Sequence, residues 1–226
     1  MKFKNKKLII FDFDGTVIDS SPDLALAINH MLKTLNRDSY NPDEIHYWVG
    51  NGAETLVKRA LSGKQTIDDS LDPALCSQAL EIFLDFYRQN LAVETVTYPQ
   101  VHETLQILKE EGYRMAIVTN KPFAFIQPIL KGLELEKYFE FYLGGDSLEQ
   151  KKPHPAPLIH VCEKFNVSIE DAVMVGDSKN DILAAKACGM QSIGLSYGYN
   201  YGEPLERENP DVVFDNFADI AKLFIA

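Results

Sequence analysis

Leu8-Ile9-Ile10-Phe11-Asp12-Phe13-Asp14-Gly15-Thr16-Val17-Ile18-Asp19 is the stretch from which the fold can be read. Its first four residues form a short β-branched and aromatic run, the composition of a strand buried on both faces of a parallel sheet. The run then breaks into Asp12 and Asp14, which therefore stand at a strand's C-terminal end, where open α/β sheets keep their ligands. Two residues apart, they point to one side for as long as the chain stays extended. Gly15 permits a sharp turn. Carboxylates beside free backbone N–H groups make a place to hold a cation and an anion together. An ordinary Asp-Gly turn after a core strand accounts for the same residues, so the rest of the chain has to decide.

Beyond Asp19, Ser20 or Ser21 is expected to cap a helix with Pro22 in its first turn and Leu24, Ile28, Met31 and Leu35 as its apolar stripe. Asn41-Pro42-Asp43-Glu44 repeats the start signal and leads through Ile45 and Trp48 to Gly50-Asn51-Gly52; further helices are expected over 53–61 and 73–89. From Tyr98-Pro99 onward helix and strand alternate, with strands at 115–118, 141–143, 172–175, 192–195 and 212–214. The expected architecture is α/β: a doubly wound, Rossmann-like parallel sheet of about six strands built from 1–18 and 92–226. Residues 19–91 are expected to form an inserted all-helical subdomain, with hinges near Asp19 and between Leu91 and Thr97.

The 226 residues, 46% of them hydrophobic, are enough for a substantial core. No apolar run reaches the length of a membrane span, and Met1-Lys2-Phe3-Lys4 leads straight toward a strand, so a soluble cytoplasmic protein is expected. Cys76, Cys162 and Cys188 are scattered without metal-ligand spacing and are expected to be reduced thiols. A net charge of −11 argues against a nucleic-acid partner. If the substrate is an anion, the site needs local positive charge from lysine, backbone N–H groups or a metal.

Three further polar clusters fall at or just after predicted strand ends. Thr119-Asn120-Lys121 offers a hydroxyl and an amide to an anionic oxygen, and reads equally as a polar helix cap. In Lys151-Lys152-Pro153-His154-Pro155, lysine suits a phosphate and the prolines stiffen the loop; a solvated basic turn is the plainer reading. Gly176-Asp177-Ser178-Lys179-Asn180-Asp181 puts two carboxylates four apart at a helix start, where acidity also complements the helix dipole. With Asp12 and Asp14 they supply hard oxygen donors of the kind Mg²⁺ takes.

Taken in order, these clusters resemble the motifs of the haloacid dehalogenase superfamily of phosphohydrolases: Asp12-Phe13-Asp14-Gly15-Thr16 the first, Thr119 the second, Lys152 the third, Asp177 with Asp181 the fourth. The resemblance implies catalytic roles for Asp12, Asp14, Thr119 and Lys152. Asp12 would attack phosphorus and form an aspartyl-phosphate, and Asp14 would protonate the leaving alkoxide and then deprotonate water. Gly15, Thr16 and Asn120 are expected around the phosphoryl group. Mg²⁺ would be held by the carboxylates of Asp12 and Asp177 and the carbonyl of Asp14, with Asp181 behind them orienting water or Lys152.

The helical insertion resembles the family's mobile cap, which closes over the site and excludes water. Trp48-Val49-Gly50-Asn51-Gly52-Ala53, continuing to Lys58-Arg59-Ala60-Leu61, resembles the cap loop of phosphoglycolate phosphatases, which implies 2-phosphoglycolate as substrate. Gly50, Asn51 and Gly52 would contact it through close backbone approach, and Lys58 or Arg59 would meet its carboxylate. Other readings are another cap-bearing phosphatase, a pyrophosphatase, a sugar phosphomutase, a phosphonate hydrolase using Lys58, or a non-catalytic binding module. The expected partner is a small phosphate ester, bound by a monomer or homodimer, with no nucleic acid and no membrane. Two departures from the family pattern are Gln100, where relatives place glycine, and Lys179, where arginine is common.

Overall fold

The computed structural model describes residues 3 and 5–225; Met1, Lys2 and Lys4, part of the reading of the chain's start, lie outside the described residues. The elements are β1 (Leu8–Phe11), β2 (Ile18–Asp19), α1 (Ser21–Thr34), α2 (Pro42–His46), α3 (Ala53–Ser62), α4 (Pro73–Gln89), β3 (Val96–Thr97), α5 (Val101–Glu110) and β4 (Arg114–Val118). There follow α6 (Phe123–Gly132), β5 (Phe141–Leu143), α7 (Ala156–Phe165), β6 (Ala172–Gly176), α8 (Lys179–Cys188), β7 (Gln191–Leu195) and β8 (Val212–Phe214).

Strand β1 is fully buried and bonded on both sides, with Phe11 opposite Ile117 of β4 and Val175 of β6. The main sheet is a six-stranded parallel one in the order β5-β4-β1-β6-β7-β8. Side chains alternate between two faces. Ile9, Phe11, Met115, Ile117, Val173 and Val175 pack with α5 and α6. Leu8, Ile10, Ala116, Val118 and Met174 pack with α7 and α8. From β1 the chain runs outward to β4 and β5; from its neighbour β6 it runs the other way to β7 and β8. The diverging connections leave a crevice at the carboxyl ends of β1 and β6, the place where such sheets bind ligands. Asp12 and Asp177 follow those two ends directly.

Helices α1–α4 sit between β1 and β4 in the chain and share one apolar cluster, with Leu24, Ile28 and Met31 of α1 against Ala79, Phe83 and Tyr87 of α4. The two crossings of this segment are joined by an antiparallel ribbon, Ile18 opposite Thr97 and Asp19 opposite Val96. Strands this short carry no periodicity, and the sequence reading does not contain them. The buried carboxylate of Asp23 accepts the N–H groups of Val93, Glu94 and Thr95 at 3.0, 2.9 and 3.0 Å and the Thr95 hydroxyl at 2.6 Å, tying the start of α1 to the returning chain.

The Asn41 start signal is a full capping box with Glu44. Ser20 differs from expectation: it occupies the N-cap of α1, but its hydroxyl donates to Asp14 Oδ1 at 2.5 Å instead of accepting a helix N–H. Gln100 has φ 64°, the left-handed conformation that glycine adopts without strain, which gives the glycine of the family pattern its physical reason.

Candidate active site

The C-terminal ends of β1, β4 and β6 and the loop before α7 bring Asp12, Thr119, Lys152, Asp177 and Asp181 together. Lys152 is the hub. Its ammonium, buried to 2% residual exposure, lies 2.9 Å from Asp12 Oδ1 and 2.6 Å from Asp181 Oδ1, and donates to the Val118 carbonyl at 2.5 Å. Asp181 is fixed in turn, its Oδ2 accepting from the N–H and hydroxyl of Ser178 at 3.0 and 2.9 Å in the capping box of α8. Asp181 is thereby fixed against the Lys152 ammonium.

Asp12 Oδ1 also accepts the N–H of Phe13 at 2.7 Å, leaving Oδ2 without a hydrogen bond among the described residues. Asp177 accepts from the Thr16 hydroxyl at Oδ1 and from the N–H of Tyr199 at Oδ2, both at 2.7 Å. Its position is boxed in by glycine. A Cβ on Gly15, whose φ is +85°, would meet Asp177 Oδ2 at 2.3 Å, and one on Gly198 would meet Asp177 Cβ at 2.2 Å. Gly15 and Thr16 thus shape the Asp177 carboxylate, and the N–H of Gly15 is spent on the Ile18 carbonyl at 2.8 Å.

Oxygens of Asp12, Asp177 and Asp181 lie within 4.8 Å of one another with one ammonium among them. Burial, then the charge of Asp181, push the Asp12 carboxyl up to about 7 against the pull of Lys152. Burial, then Asp12 and Asp181, push Asp177 well above the usual carboxylate range. Burial works against the Lys152 ammonium, yet Asp12 and Asp181 hold it above its ordinary value. Hard oxygen donors carrying uncompensated negative charge fit a divalent cation such as Mg²⁺.

Asp14 lines a small cavity, of about 40 Å³, together with Asp12, Thr119 and Asn120. Its carboxylate pairs with Lys121 Nζ at 2.9 and 3.2 Å, a contact across 107 residues that sequence reasoning missed although it had singled out the Thr119-Asn120-Lys121 cluster. Asn120 donates through Nδ2 to the carbonyls of Gly50 and Lys152 at 3.1 and 3.0 Å, while its Oδ1 is buried without a partner. Among the described residues the backbone N–H groups of Asp14 and Asn120 have no acceptor.

The helical segment is docked onto this rim. Gly50 and Gly52 line the cavity, and a Cβ on Gly52 would stand 3.0 Å from the Asn120 carbonyl oxygen, a close approach that its φ of +88° permits. Asn51 turns outward to a latch: Tyr201 donates to Asn51 Oδ1 at 2.8 Å, Asn180 donates to the Tyr201 hydroxyl at 2.8 Å, and Lys151 donates to the Asn51 carbonyl at 2.9 Å. Asn180 lies within the Gly176–Asp181 cluster, whereas Tyr199 and Tyr201 carried no sequence signal. Arg59 does not enter the cavity, contrary to expectation. Its guanidinium donates to the carbonyls of Trp48 and Gln65 at 2.7 and 2.9 Å and lies 5.2 Å from the Tyr201 ring centroid. Lys58 points away as well, paired with Glu54 at 2.5 Å in the preceding turn.

A family model for haloacid dehalogenase-like hydrolases matches residues 9–195, a span that includes all four clusters. The chain belongs to this family. The hydrolase is 54% identical to a phosphoglycolate phosphatase of Colwellia psychrerythraea over 97% of each chain. It is 49% identical to one of Psychrobacter arcticus over 95% of this chain and 94% of that one. A crystal structure of a predicted phosphoglycolate phosphatase from Haemophilus somnus 129PT superposes with a TM-score of 0.90 at 42% identity, covering 97% of this chain and 98% of the other. Among the described residues no helix is long and apolar enough to cross a membrane.

Proposed function

We propose that this hydrolase is a Mg²⁺-dependent phosphatase that cleaves a small phosphomonoester, 2-phosphoglycolate above all, through a phosphoryl group carried on Asp12. The observation that carries the reading is the division of labour between two carboxylates at the cavity floor. Asp12 has one oxygen clamped by Phe13 and Lys152 and the other free; Asp14 is held beside it by Ser20 and Lys121.

Asp12 Oδ2 forms a bond to phosphorus as the ester oxygen leaves, and Asp14 gives that oxygen a proton. Water then attacks the phosphoryl group, its proton passing to Asp14, and inorganic phosphate departs with the Asp12 carboxylate restored. The free N–H groups of Asp14 and Asn120, with the Thr119 hydroxyl, meet phosphoryl oxygens. Lys152 offsets negative charge on Asp12 throughout. A magnesium ion held by the carboxylates of Asp12 and Asp177 and the carbonyl of Asp14 would supply further positive charge between nucleophile and phosphate. Residues 19–91 act as a cap over a core of 1–18 and 92–226, opening to admit substrate and closing through the Asn51–Tyr201 latch to exclude water.

Support for a small substrate comes from the cavity's size and from the relatives named phosphoglycolate phosphatase. The test is phosphate release across a panel of phosphate esters with Mg²⁺. Turnover highest on 2-phosphoglycolate and abolished by EDTA or Asp12→Asn is expected. Faster turnover of a sugar phosphate or pyrophosphate would overturn the substrate, and undiminished release by Asp12→Asn would overturn the mechanism.

A further inference from the structure

A substrate carrying a carboxylate besides its phosphate needs a second cationic partner, and Lys58 and Arg59 are both turned away from the cavity. Among the residues lining the cavity around Asp12 and Asp14, the cation is Lys121. Opposite it stands Tyr87, at the end of α4 in the helical segment, buried to 1% exposure and lining the same cavity. The Lys121 ammonium lies 4.9 Å from the Tyr87 ring centroid. The Tyr87 hydroxyl sits beside it without an aligned partner and is one of two orphaned buried side-chain atoms among the described residues. A buried hydroxyl left unpaired is destabilising, and such groups in native proteins call for an explanation. Burial also pushes this phenol up to about 12, so it keeps a proton to donate.

We infer that Lys121 and Tyr87 bind the substrate's carboxylate, Lys121 exchanging its contact with Asp14 for the incoming group; the inference rests on the phosphomonoester reading above. A carboxylate is the ligand that satisfies both donors, since its two oxygens accept an ammonium and a hydroxyl together. The facing side chains Leu24, Val49, Leu56, Phe83 and Phe125 are apolar, and an ionised group left against them would lose its hydration without compensation. Asp14 stays in place when the ammonium turns, because Ser20 continues to donate to it. The arrangement also spans two parts of the chain. Lys121 belongs to the loop after β4 and Tyr87 to α4, so a bound carboxylate cross-links core and cap.

The test compares 2-phosphoglycolate with ethyl phosphate, in which a methyl group replaces the carboxylate, for the wild type, Tyr87→Phe and Lys121→Met, each assayed with Mg²⁺. The wild type is expected to favour phosphoglycolate in kcat/KM. Losing one hydrogen-bond donor to a charged group should cut that preference about tenfold in Tyr87→Phe and losing the ammonium about 100-fold in Lys121→Met, mainly through KM. Ethyl phosphate turnover by Tyr87→Phe should stay within about threefold of wild type. Because Tyr87→Phe removes one buried oxygen and keeps the ring, it remains informative if Lys121→Met fails to fold. A wild-type preference retained in Tyr87→Phe, or a parallel fall on both substrates, overturns the inference while leaving the phosphatase intact. A wild type without any preference overturns both the inference and the substrate assignment.

Discussion

Replacing Lys152 with Met keeps an unbranched side chain, one atom shorter, and removes the ammonium that sits between Asp12 and Asp181. The variant leaves Asp12, Asp177 and Asp181 facing one another without a cation, and the Val118 carbonyl without its Nζ donor. Breaking a buried ion pair from one side costs about 3–5 kcal/mol. For a chain of this size that corresponds to a fall in Tm of roughly 6–20 °C. The cost should depend on pH in a definite direction. Asp12 is raised from 3.8 to about 7 with Lys152 present, and losing the lysine raises it further. A carboxyl whose folded pKa exceeds its unfolded value binds its proton better when folded. That contribution is complete below the unfolded pKa and is lost as pH rises through the folded one. The deficit should therefore be largest at about pH 8 and clearly smaller at about pH 5.5, where Asp12 is protonated in the variant. Thermal melts followed by circular dichroism, in EDTA, measure both. A deficit of equal size at the two pH values, or one below about 1 kcal/mol at the higher, would refute the picture of one ammonium holding Asp12 and Asp181 together beside Asp177.

Added Mg²⁺ should raise the wild-type Tm at about pH 8, reversibly with EDTA, and the gain should shrink below about pH 6, because Asp12 and Asp177 are both raised and must shed protons to bind metal; a gain independent of pH would count against these ligands. Gly198→Ala forces a Cβ to within 2.2 Å of Asp177 Cβ and should weaken Mg²⁺ binding at least about tenfold in a titration while the circular dichroism spectrum is retained. Equal affinity would show that Asp177 is not held where the structure has it. Asp23→Asn removes the charge that gathers three N–H groups and a hydroxyl, and should cost about 2–3 kcal/mol with faster hydrogen exchange at residues 93–95. Unchanged exchange there would mean that the returning segment is held by other contacts.

Much of the fold was legible because it rests on local regularities. β1, β5, β8, α4 and α7 are found over the ranges expected of them, and the parallel six-stranded sheet follows from alternating helix and strand. The polar clusters converge because each lies at a strand end or in the loop that follows, and all strands of that sheet run the same way. The β2–β3 ribbon was not legible, since two residues per strand show no pattern. Nor was the diversion of Ser20 from the helix N–H groups to Asp14, which depends on where the turn after Gly15 puts that carboxylate.

The sequence by itself determined which polar residues gather at the floor of the site: a buried strand followed by Asp12 and Asp14, with Thr119 and Asp177 after other strand ends, Lys152 in the loop before α7 and Asp181 in the first turn of α8. Only the tertiary structure decided which cation lines the cavity. Neighbours in sequence such as Lys58 and Arg59 leave a helix about 100° apart, so their targets depend on how that helix docks. Here the docking, through Asn51 and Tyr201, turns both away and leaves the cavity to Lys121 and Tyr87, contributed from opposite sides of the cleft.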